Sequence, residues 1–88
     1  MSEKLKALVS KKIDEKINTI KANEKYISLS PELQARVIMK TIEKVESRIE
    51  NTKQLNTQDV ILDQKIEIFQ LLHDKLMQYY NTLNIKEQ

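Results

Sequence analysis

The 88-residue sequence predicts an all-α fold: a three-helix antiparallel (up-down-up) bundle, closed within one chain or completed by dimerisation. Three observations lead there. Glycine is absent and proline occurs once, which argues against hairpins, phosphate loops and tight catalytic turns. Apolar residues recur three or four apart through three successive segments, the spacing of one face of a helix. Cysteine is also absent, so neither a disulfide nor a thiolate metal site can support a domain that buries only about 60% of its unfolded surface.

The whole chain, 1–88, is expected to form one domain. Its first helix is predicted over 3–27, where Leu5, Leu8, Val9, Ile13, Ile17, Ile20 and Ile27 fall on one face and Ser2 can cap. "SLSPEL" opens the second, predicted over 31–53. Ser30 can cap, Pro31 suits the first helical position because its missing N–H would be unpaired there, and Glu32 complements the helix dipole.

The seam of the second helix, Ala35, Ile38, Ile42, Val45 and Ile49, alternates steps of three and four as in a coiled coil. The third helix is predicted over 58–84, capped by Asn56 or Thr57 with Asp59 in its first turn. Its main seam is Leu62, Ile66, Phe69, His73, Leu76, Tyr80 and Leu83, beside a second row of Ile61, Ile68, Leu72 and Tyr79. Two apolar rows require two neighbours, or one neighbour and another subunit, so a homodimer is expected.

Folding the helices back about residues 29 and 56 places Ile20, Ile38 and His73 in one layer. Glu24, the one acid in the seam of the first helix, then lies about a turn from His73. The expected consequence is a structural polar pair, Glu24 with His73, that fixes helix register. The competing reading is general acid–base chemistry or a pH switch at His73, the only histidine. No nucleophile or second metal ligand stands at a useful spacing from it, so no catalytic residue, metal site or cofactor is expected.

Net charge is +2, unevenly spread. Residues 1–27 hold seven lysines against four acids, and residues 57–88 three bases against five acids. Arg36, Lys40, Lys44 and Arg48 form a ladder at four-residue steps, at a cost of about 0.2–0.5 kcal/mol per like-charge pair. The adjacent Glu32, Glu43, Glu46 and Glu50 weaken the field that nucleic acid seeks.

The sequence therefore points to a small non-enzymatic protein acting through protein–protein contact, as an adaptor, an inhibitor or an immunity-type factor. Its interface is expected at Ile68, Leu72 and Tyr79, with Arg36, Lys40, Lys44 and Arg48 setting specificity and association rate. The alternative is a nucleic-acid-binding regulator using the basic faces of the first two helices. With no apolar run of about 20 residues and no leader pattern, a cytoplasmic location without a membrane span is expected. Richness in lysine, isoleucine and asparagine fits an AT-rich genome such as that of a low-GC bacterium or its phage. The size and helical layout resemble those of the small helical immunity proteins of Gram-positive bacteriocin systems, a likeness of fold that carries no residue over.

Overall fold

The computed structural model describes residues 2–55 and 60–83. Among them the chain is helical and contains no strand, with α1 at Glu3–Ala22, α2 at Glu24–Ile27, α3 at Pro31–Gln54 and α4 at Val60–Thr82. The expected caps at Asn56 and Thr57, with Asp59, lie outside the described residues.

Local chemistry explains most helix starts. The Ser2 side chain accepts the Leu5 N–H at 3.1 Å, and that of Ser30 accepts the Leu33 N–H at 3.3 Å. Each thereby satisfies an amide that has no partner within the helix.

The first predicted helix is two pieces rather than one. Asn23 adopts an extended conformation (φ −69°, ψ 126°), donates its N–H to the Ile20 carbonyl at 3.1 Å, and accepts the Tyr26 N–H on its side chain at 3.1 Å. One residue thus ends α1 and caps α2. The break rotates the next turn of the chain, so that Tyr26 points inward and is 6% exposed, whereas Ile27, expected on the seam, is 58% exposed.

Ile13, Ile17, Tyr26, Ile38, Ile42, Val45 and Leu76 form the core cluster, in which Ile38, Ile42 and Leu76 are almost wholly buried. Burial of such a side chain stabilises by about 1.5–3 kcal/mol. α3 and α4 pack closely and run in opposite directions: Met39 lies near Tyr80, Glu46 meets His73, and Leu55 lies near Leu62. α1 sits on α4, where Lys75 donates to Asp14 at 2.9 Å and the Lys21 ammonium stands 5.2 Å from the centre of the Tyr79 ring. Towards α3 it is mainly side chains that meet, because Ile13 and Ile17 share the core with Ile38 and Ile42 while the two backbones hardly approach.

The expected layer of Ile20, Ile38 and His73 is not formed. His73 lies opposite Glu46, about two turns along α3 from Ile38. The facing pairs Met39 with Tyr80, Glu46 with His73 and Leu55 with Leu62 set the register of α3 against α4 about two turns from the expected one.

Truncating Ile38 to alanine is expected to cost about 2–5 kcal/mol in urea unfolding, and truncating Ile27 less than about 0.5 kcal/mol. Equal costs would mean that the helix continues through Asn23.

Candidate binding faces

Three places gather candidate side chains. The first is the end of the bundle near α2. The Tyr26 and Tyr79 hydroxyls are 2.8 Å apart, and Gln34 donates its side-chain amide to the Tyr26 carbonyl at 2.9 Å. Burial, reinforced by the bond to Tyr79, raises the Tyr26 hydroxyl above its ordinary range of ionisation. Tyr79 rather than Tyr80 is the partner of Tyr26. Tyr80 instead lines a cleft with Met39, Arg36 and Lys40.

This geometry uses up much of the row expected to serve as an interface. Leu72 and Tyr79 are half-buried against the core, and the Tyr79 hydroxyl is engaged with Tyr26. Ile68 is half-buried, and Ile61 is 63% exposed.

The second place surrounds His73, whose side chain is 25% exposed. Its Nε2 lies 2.9 Å from the Glu46 carboxylate of α3, and its Nδ1 lies 3.5 Å from Asp74 on its own helix. The expected pairing with Glu24 is corrected: Glu24 is exposed in the first turn of α2, and Glu46 is the partner. The register of α4 against α3 and α1 is the cause, since it sets His73 opposite Glu46 and its neighbour Lys75 opposite Asp14, away from the end of α1. The Glu46 hydrogen bond raises the His73 pKa above its usual 6.5, burial opposes the rise, and Asp74 adds to it. Among the described residues no three side chains converge as metal ligands.

The third place is the seam between α1 and α3. Thr19, Ile20, Asn23, Lys25, Tyr26, Leu29 and Val37 line an apolar cleft of about 400 Å³. Val37 is 40% exposed, and Leu33, one turn away on the same face, is 44% exposed. Sequence reasoning missed this cleft. The available signal was that Leu33 and Val37 fall off the Ala35–Ile38–Ile42 seam yet are apolar.

The ladder on α3 is divided by the helical screw, because each four-residue step turns the side chain by about 40°. Arg36 and Lys40 share their cleft with Glu32 and Glu43 on the flank towards α4. By that spacing Lys44 and Arg48 fall on the same face of α3 as Val37, and Arg48 also lines a recess with Leu62, Lys65 and Phe69 of α4. No described helix is long and apolar enough to cross a membrane.

The histidine contact has a definite pH dependence. His73 binds its proton more tightly folded than unfolded, so its stabilisation is fully present below 6.5 and disappears as pH rises through the raised folded value. Because Glu46 is 56% exposed, solvent screening limits the effect to about 0.2–1 kcal/mol. The thermal midpoint should therefore fall by up to a few degrees as pH rises from about 6 to about 9. His73→Gln should lack that component; an identical pH profile in both proteins would contradict the assignment.

No family model, curated protein or solved structure matches the chain, so a functional reading rests on its own residues.

Proposed function

We propose that this chain is an up-down-up helical bundle, non-enzymatic, that acts by binding another protein at the seam between α1 and α3, in the manner of an adaptor, an inhibitor or an immunity-type factor. The observation that carries the reading is the apolar cleft around Ile20 and Val37, continued along α3 by exposed Leu33. Exposed apolar surface arranged as a cleft, rather than scattered singly, marks sites that another molecule covers. Its origin is physical. α1 is seated on α4, so its approach to α3 is left to side chains and the groove between the two helices stays open.

This reading moves the interface away from Ile68, Leu72 and Tyr79, because the latter two already pack within the chain. A nucleic-acid partner is the weaker reading. Phosphates leave an apolar cleft unfilled, and Tyr26, the aromatic residue beside it, is buried and unable to stack on a base.

Val37→Glu tests the proposal, since it places a charge at the mouth of the cleft without disturbing the core. The tagged 88-residue chain and the variant are compared for what they retain from nuclease-treated extract of the source cell. Discrete proteins held by the parent and lost from the variant are expected, with stability unchanged to within about 0.5 kcal/mol. Identical retention by both proteins would reject the site.

A further inference from the structure

We propose that the element docking at the α1–α3 seam is an amphipathic helix whose apolar side chain enters the cleft between acidic residues. This inference rests on the docking reading above and adds the chemical class of the partner. Its basis is how charge is distributed around the seam.

Beyond Ile20, the α1 edge of the seam carries Lys16 and Lys12 at successive turns. Beyond Val37, the α3 edge carries Lys44 and Arg48. Lys25 stands at the cleft itself. The acids of α3 lie elsewhere: Glu46 bonds His73 on α4, Glu32 and Glu43 line the cleft with Tyr80, and Glu50 shares their flank by helical spacing. On α1, Asp14 is occupied by Lys75 on the α4 side, and Glu15 lies one turn before Thr19, on the outer side of Lys12 and Lys16 by helical spacing; Glu24, in the first turn of α2, is exposed beside Lys25. Among the described residues, Lys12, Lys16, Lys44 and Arg48 make no ion pair.

By helical spacing the seam is therefore an apolar notch continued by two rails rich in basic residues. Repulsion along each rail is a cost that an acidic partner offsets. The rails also have a period. Lys12 and Lys16, like Lys44 and Arg48, are spaced by about 6 Å of helical rise, close to the 5.4 Å pitch at which a docked helix presents successive acids on one flank. A membrane surface is a poorer occupant because the exposed apolar residues of α3 here are few, Leu33 and Val37, where an interfacial helix needs a continuous apolar face.

The test uses the full isotope-labelled chain and a synthetic helical peptide of about 18 residues, long enough to hold helix. One peptide carries a leucine stripe flanked by glutamates, and a second has every glutamate replaced by lysine. Parallel titrations use phosphatidylserine vesicles and a single-stranded oligonucleotide.

The expected result is that the glutamate peptide shifts amide signals around Ile20 and Val37 and binds roughly tenfold or more tightly than the lysine peptide. Reversal of both rails by Lys16→Glu with Lys44→Glu should weaken it by roughly tenfold, as two exposed charge contacts allow. Equal binding of the two peptides at this seam overturns the acidic requirement and leaves the docking reading standing. Binding that ignores Val37→Glu removes both. Failure of the glutamate peptide to bind, or preferential binding of vesicles or oligonucleotide at these amides, overturns the inference.

Discussion

Burial of Ile13 and Ile17 beside Ile38, Ile42 and Leu76 is the packing on which the rest of this structure depends. A chain of this size has little apolar surface to bury and no covalent staple. The close hairpin of α3 and α4 supplies much of the contact, yet two helices leave one side of their apolar stripe in water. α1 closes that side. It does so by lying on α4, where the Asp14–Lys75 pair and the Lys21–Tyr79 contact hold its flank. The price is a loose seam with α3, and the apolar cleft lies in that seam.

Asn23 sets where this closure stops. A helix continued straight through it would bring Ile27 to the seam and carry Tyr26 elsewhere. By ending α1 and capping α2, Asn23 directs Tyr26 into the core, where its hydroxyl meets Tyr79. The tyrosine pair terminates the core with a satisfied polar contact. Burial of tyrosine without one would cost about 1–3 kcal/mol. Tyr26 also forms one wall of the cleft, so the residue that seals the bundle helps shape its candidate docking surface.

The features legible in the sequence are those encoded locally. Ser2 and Ser30 cap as expected, Pro31 opens α3, and Ala35, Ile38, Ile42 and Val45 are all buried as their spacing requires. The break at Asn23 was hidden by apolar spacing that runs on through Tyr26 and Ile27 and outweighs the capping preference of asparagine, the one local signal of it. The partner of His73 was also hidden: a shift in the register of α4 against α3 replaces Glu24 by Glu46, and hydrophobic periodicity does not report register between helices. Both charged sets on α3 were visible as periodic rows of side chains. How the screw of the helix divides the bases, with Arg36 and Lys40 beside Glu32 and Glu43 and with Lys44 on the face of Val37, emerges only once those residues are seen against the neighbouring helices.

The central claim is that α1 closes the core on α4 of its own chain while leaving the seam with α3 open. Since the chain has no cysteine, Asp14→Cys with Lys75→Cys gives a clean test. The two positions are joined by oxidation or by a short bismaleimide, and the mass of the product is measured under denaturing, non-reducing conditions. A cross-linked single chain is expected at every protein concentration. A covalent dimer as the main product, increasing with concentration, would show that α1 packs on another molecule and would contradict it.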